Sequence, residues 1–209
     1  TKHAKLLQWV SDVAELTQPD RVVLTQPIGG GQVQDYTWRQ ILDQVRRMAA
    51  HLQSLNLPPK THIAILGKNS AHWILADLAI LMAGYVSVPI YPTFNGEALS
   101  YVLAHSEARA CFVGKMDEIA NLETGIPPGM PLIALPLAPR QIKAALWSDL
   151  VARTMPMKGT PAPDGESICT IIYTSGTTGN PKGVMQSFAA MTWALSSGHE
   201  RVRFGNNER

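Results

Sequence analysis

Ten consecutive residues, Thr174-Ser175-Gly176-Thr177-Thr178-Gly179-Asn180-Pro181-Lys182-Gly183, combine four hydroxyls, three glycines and one lysine, with no apolar side chain larger than proline. That mixture suits phosphate chemistry. Glycines let backbone N–H groups approach an anion with no Cβ in the way, hydroxyls rotate a donor toward each oxygen, and the ammonium supplies charge. The expected ligand is a nucleotide triphosphate or pyrophosphate. A Walker loop, GxxxxGK[ST], counted from Gly176 would need glycine at 181 and a hydroxyl at 183, where Pro181 and Gly183 stand. Only the lysine position agrees. The ten residues also lie between two strand-like runs rather than leading straight into a helix, which disfavours a Walker-type kinase or GTPase.

Other reactive side chains give weaker signals. Cys111 and Cys169 stand 58 positions apart, without CxxC or Cys/His spacing. Neither a disulfide scaffold nor a zinc site is suggested, and both lie in apolar runs where a free thiol behaves as a small hydrophobe. His72, near a helix start, and His105, at a helix end, read as exposed or capping residues with no visible partner. Trp73 and Trp147 fall at helical core positions. Tyr173 either packs as the end of a strand or faces the nucleotide, and the sequence leaves both open.

The elements that must hold the loop follow from periodicity. Thr37 with Gln40 forms a capping box ahead of Ile41, Val45, Met48, Leu52 and Leu55 on one helical face, and Pro58-Pro59 stops it. Four short apolar runs read as strands, 62–66, 86–90, 109–113 and 131–135, with starts 24, 23 and 22 residues apart. Asn69-Ser70 opens a helix over 71–83 and Asn95 one over 96–106, so strand and helix alternate as in right-handed crossovers. A largely parallel sheet with helices on both faces follows, an α/β fold that binds ligands at the carboxyl ends of its strands. Residues 121–164 hold eight of the fifteen prolines and read as connection around one strand and one helix, 140–153. Then the grammar changes to strand 167–173, loop 174–183, strand 184–188 and a helix from 189. A ten-residue loop between two strands asks for a functional explanation.

Composition narrows the class. In 209 residues, 18 Lys+Arg against 16 Asp+Glu leave a net charge of +2, which argues against a nucleic-acid footprint. Charged residues make up 16%, below the roughly 25% of an average domain, so much of the surface is uncharged or covered. The 19 residues from Trp73 to Tyr91 carry a single charge, Asp77, and approach the length of a membrane span. Gly84 and Pro89 break the run, and a buried helix followed by a buried strand is the better reading. No signal peptide is visible, and two unpaired cysteines suit a reducing cytoplasm.

Tyr173 to Met185, YTSGTTGNPKGVM, resembles the signature of the adenylate-forming (AMP-binding) superfamily, which includes acyl-CoA synthetases, luciferases and the adenylation domains of peptide synthetases. Residues 36–42 with their following helix, and 81–92, also look like family motifs in the family's order. The segment Pro89-Ile90-Tyr91-Pro92-Thr93 is most similar to the long-chain fatty acid–CoA ligase branch. The resemblance implies a two-step reaction. A carboxylate attacks the α-phosphate of ATP, giving acyl-adenylate and pyrophosphate, and the thiol of coenzyme A then displaces AMP. ATP, Mg²⁺ and coenzyme A are the implied cofactors, with a fatty acid as the other small-molecule partner, in the cytoplasm or peripheral to the inner membrane surface. Thr174, Ser175, Gly176, Thr177, Thr178, Gly179 and Lys182 would cradle the leaving pyrophosphate, with Thr177, Thr178 and Lys182 foremost.

Family members are more than twice this length. The resemblance therefore makes residues 1–209 the N-terminal portion of the adenylation domain, with the rest of the large domain and the C-terminal domain lying beyond it. It places no catalytic residue and no metal ligand in the chain, which is expected to be inactive alone and prone to self-association. Phe188 stands where the family often has histidine. Two alternatives stay open, a non-catalytic nucleotide-binding or interaction module and an adenylating enzyme that loads a carrier-protein thiol.

Overall fold

The computed structural model describes residues 6–117, 119–175 and 179–201. Helix α1 (Leu6–Asp12) runs into a π-type turn over Val13–Thr17. An antiparallel hairpin follows, β1 (Val22–Gly29) and β2 (Gln32–Thr37). Periodicity did not reveal this hairpin. Its turn, Gly29-Gly30-Gly31, has φ of 97°, 60° and 74°, a run of left-handed backbone that glycine adopts without penalty. Helix α2 (Trp38–Ser54) begins with the expected capping box. The Gln40 N–H donates to Thr37 Oγ1 at 3.3 Å, and the Thr37 N–H donates to Gln40 Oε1 at 2.8 Å. Ile41, Val45, Met48 and Leu52 are buried as the spacing predicts, while Leu55 is the half-exposed C-cap.

The remaining strands form one sheet: β3 (His62–Leu66), β4 (Val86–Ile90), β5 (Cys111–Val113), β6 (Leu132–Ala134), β7 (Ala145–Leu146), β8 (Ile168–Thr174) and β9 (Lys182–Ser187), in the order β7-β6-β5-β3-β4-β8-β9. All neighbours are parallel except β8 and β9. Connecting them are α3 (Ala71–Met82), α4 (Gly96–His105), α5 (Ala120–Gly125), α6 (Trp147–Arg153) and α7 (Phe188–Arg201). Ser70 and Asn95 cap α3 and α4 through bonds from Trp73 N–H and Ala98 N–H. The helix expected over 140–153 forms only from Trp147. Before it the chain turns at Pro139, whose carbonyl accepts from Ile142 N–H, and Ala145 and Leu146 then pair with β6 instead.

Strand alternation builds two cores, one on each face. Ile63, Ile65 and Phe112 point toward α2, α3 and α6, while Ala64, Leu66, Cys111 and Val113 point toward α4 and α5. A register shift between Ile168 and Thr170 bulges β8. Cys169 therefore joins the first core, and Ile171 and Tyr173 join the second. The apolar run from Trp73 is broken where expected. Gly84, at φ 88°, ends α3 with Tyr85 N–H donating to Ile80 O at 3.0 Å and Gly84 N–H to Leu81 O at 3.1 Å, the paired bonds of a Schellman stop. No described helix is long and apolar enough to cross a membrane.

Candidate phosphate-binding site

Because β8 runs parallel to β4, the segment after it leaves from the carboxyl edge of the parallel strands. The β8–β9 ladder extends further than the sequence suggests. Tyr173 pairs with Gly183 and Thr174 with Lys182, so the open loop is 175–181 and Lys182 is the first residue of β9. Two of the expected phosphate ligands thus face each other across the stem on hydrogen-bonded backbone. Thr174, Ser175, Gly179 and Lys182 are all exposed, and Gly179 turns the chain back at φ 102° with no atom near the place of a Cβ. Gly176, Thr177 and Thr178 lie outside the described residues. Among the described residues no carboxylate pairs with Lys182, and residues 174–183 contain none. The stem presents rotatable hydroxyls and one ammonium without a carboxylate partner among the described residues, a donor set that fits phosphate oxygens.

Beside the loop, an open cavity of about 550 Å³ is lined by Gly96, Glu97, Ser100 and Tyr101 of α4, with Thr124 and Asn180. Sequence reasoning missed the α4 residues. Glu97, Ser100 and Tyr101 lie on one helical face, but nothing local shows that this face meets a loop some eighty positions later. A slightly larger cavity, about 580 Å³, lies at α2 and α6 against Gln44, Arg47, His72 and Trp147, and includes no residue of the loop.

Tyr173 packs as core. It is 2% exposed, and its hydroxyl lies 2.7 Å from His105 Nδ1. Burial, reinforced by Tyr101, pushes the Tyr173 phenol up, so it stays protonated at neutral pH. His105 is exposed as expected but does have this partner. His72 contradicts the expectation of an exposed or capping residue. It is 5% exposed, bonds Gln44 Oε1 through Nε2 at 3.0 Å, and is lowered by burial to about 4. A core imidazole held neutral at pH 7 is not charged to act as an acid, and with so low a value it is a weak base. Burial raises the thiols of Cys111 to about 12 and Cys169 to about 11, which removes both as nucleophiles. Trp147 is fully buried, Trp73 packs half-buried against the same core, and Phe188 is buried there too, so position 188 serves packing.

No group of three or more His, Cys, Asp or Glu among the described residues is placed to hold a metal. The loop offers hydroxyls and an ammonium but no carboxylate, so its residues fit a phosphate and do not fit a bare Mg²⁺.

The profile of the AMP-binding enzyme family matches residues 12–209. The chain is 30% identical over 190 residues to the long-chain-fatty-acid–CoA ligase ACSBG2 of Xenopus laevis, covering 83% of this chain and 25% of that protein. It is 33% identical over 181 residues to the long-chain-fatty-acid–CoA ligase FadD15 of Mycobacterium bovis, covering 81% and 29%. The chain thus spans between a quarter and a third of the length of these relatives. Two solved structures share the fold. The benzoate CoA ligase of Burkholderia xenovorans superposes with a TM-score of 0.75 at 22% identity, over 91% of this chain and 36% of that one. The O-succinylbenzoate coenzyme A synthetase of Bacillus subtilis, in complex with AMP, superposes with a TM-score of 0.70 at 21% identity, over 94% and 46%. The family profile spans nearly the whole chain, from the first helix through the parallel sheet to the β8–β9 edge, and assigns the chain to the AMP-binding enzyme family.

Proposed function

We propose that this chain supplies the pyrophosphate-holding part of an ATP-dependent acid–thiol ligase that converts a long-chain fatty acid to its acyl-adenylate and then to acyl-CoA. The observation that carries the reading is the Thr174–Lys182 pair, which sets a hydroxyl residue opposite a lysine that no carboxylate among the described residues pairs, on the hydrogen-bonded stem of the loop. The long-chain relatives support the substrate class. Held there, the β- and γ-phosphates of ATP leave the α-phosphate oriented for attack by a carboxylate, and charge developing on the departing pyrophosphate is met by Lys182 and the loop hydroxyls. The chain's own task is to bind, orient and neutralise. The loop's residues would hold a magnesium-bound polyphosphate through its phosphate oxygens, and coenzyme A would be needed only for the second step. The chain spans only a quarter to a third of its long-chain relatives, so the reaction would need what the rest of such a ligase supplies, and the 209 residues alone would not carry it out.

ATP–pyrophosphate exchange with a long-chain fatty acid and Mg²⁺ isolates the first step. The expected result is no exchange by the 209-residue chain and acid-dependent exchange once the sequence that follows it in its reading frame is joined to it. Exchange by the short chain overturns the division of labour, and its absence from the longer protein overturns the ligase reading.

A further inference from the structure

The Tyr173 ring is held from two sides. Across the ladder it packs against Gly183, where a Cβ would stand 3.1 Å from Tyr173 Cζ and 3.3 Å from Cε2. At its far end the hydroxyl meets His105 Nδ1 at 2.7 Å. The imidazole is itself fixed, stacked on Tyr101 with centroids 5.3 Å apart and planes 22° from parallel, and edge-on to Tyr173 at 5.8 Å. Tyr173 and Gly183 form the ladder pair next to Thr174 and Lys182, the last pair before the loop opens. Tyr101 also lines the open cavity that Asn180 of the loop borders. A continuous set of contacts therefore runs from the end of α4 to the stem.

We propose that His105 is a positioning residue for the phosphate-binding loop, acting through the Tyr173 hydroxyl to fix the stem from which Thr174 and Lys182 project. The inference rests on the reading of the loop as the phosphate holder. His105 touches no substrate. Its ring orients the Tyr173 phenol, the phenol fixes where the Gly183 backbone lies, and that sets the spacing between the Thr174 hydroxyl and the Lys182 ammonium. Freed of this anchor, the stem samples more than one arrangement, and a polyphosphate must then be bound by the fraction that is competent.

Two measurements on the 209-residue chain test it, one without ligand and one with. Amide hydrogen exchange in segment 174–183 should rise about fivefold in His105→Ala, the effect of one lost hydrogen bond, while β3 and β5 keep wild-type protection. His105→Asn, whose amide reaches the place of Nδ1, should restore protection. Tyr173→Phe should raise exchange as much as His105→Ala, and the double variant no further. Unchanged exchange at 174–183, a rise spread over the whole sheet, or full additivity in the double variant overturns the proposal. By calorimetry, the Kd for Mg-ATP should weaken about fivefold in His105→Ala and recover in His105→Asn. Lys182→Ala tests the underlying reading separately. ATP binding indifferent to Lys182 removes the phosphate role of the loop, whereas binding that depends on Lys182 but not on His105 removes only the role of His105.

Discussion

Trp147 and Gln44, 103 positions apart in the chain, are joined by an indole N–H that donates to Gln44 Oε1 at 2.8 Å. Indole nitrogen only donates, so the atom of Gln44 that it meets must be the oxygen. His72 Nε2 lies 3.0 Å from that same oxygen and therefore carries the ring proton. Edge-on contacts at 5.3 Å to Tyr36 and to Trp147 complete the enclosure. The tautomer of a buried histidine is thus set by a tryptophan on α6 acting through a glutamine on α2.

This arrangement predicts acid sensitivity. Burial holds His72 at about 4, below the ordinary 6.5, so the unfolded chain takes up the proton first. Its contribution is fully present above pH 6.5 and is lost as pH falls from 6.5 toward 4, at up to about 1.4 kcal/mol per pH unit. Urea unfolding at pH 7, 5.5 and 4.5 should show that loss in the wild type and a shallower one in His72→Gln. Parallel pH profiles would show that His72 is not the group responsible.

Asp77 predicts the opposite sign. Its Oδ1 and Ser87 Oγ are both buried, and among the described residues neither makes a well-formed hydrogen bond, although the Ser87 hydroxyl faces the carboxyl closely enough to favour its charged form. Burial raises the carboxyl above its ordinary value, and Ser87 offsets this only in part. A raised acid favours folding below pH 3.8 and costs stability as pH climbs through its folded value. Asp77→Asn keeps the shape and removes the charge, so it should stabilise the fold at pH 7 by about 1 kcal/mol or more, with the gain fading toward pH 4. Destabilisation at pH 7 would mean that the carboxylate is satisfied in the folded chain.

The framework that holds these groups is legible in the sequence wherever a local rule suffices. The capping box at Thr37 and Gln40, the caps Ser70 and Asn95, and the stop at Gly84 each act within a few residues, and each appears where the pattern puts it. What escapes is set at long range. The burial of His72 depends on Gln44 and Trp147, and Tyr173 reaches the α4 face because of a bulge that periodicity does not record. Ala145 and Leu146 become a strand only because β6 is there to pair with them. Among the loop residues, type and spacing are what point to phosphate, but the nearness of the α4 face depends on contacts from distant sequence.

Gly183 provides a steric test of the stem. A Cβ there would stand 3.0 Å from Ile171 Cγ2 and 3.1 Å from Tyr173 Cζ. Neither neighbour can give way easily, since Ile171 is in the core and Tyr173 is anchored at its hydroxyl. Gly183→Ala should cost roughly 1–3 kcal/mol in urea unfolding and weaken ATP binding alongside. Gly30→Ala, with nothing within 4 Å, bears only the cost of a left-handed φ and should leave ATP binding unchanged. Equal effects of the two on ATP binding would dissociate stem packing from phosphate affinity.

The sheet edge carries the last prediction. Among the described residues β9 pairs with β8 alone, so one side of its backbone has no strand neighbour there, and its Val184 and Met185 are 50% and 66% exposed. On α7, which follows it, Trp193 and Leu195 are exposed as well. A bare strand edge with large apolar residues on it and on the next helix is a template for another chain. The 209-residue chain should therefore self-associate, its apparent mass by light scattering rising with concentration. Met185→Lys with Val184→Thr should shift it toward monomer without weakening ATP binding, because both positions lie beyond the Thr174–Lys182 pair. A wild-type chain that stays monomeric at high concentration would show that this edge is not adhesive, and association that survives both substitutions would place the contact elsewhere.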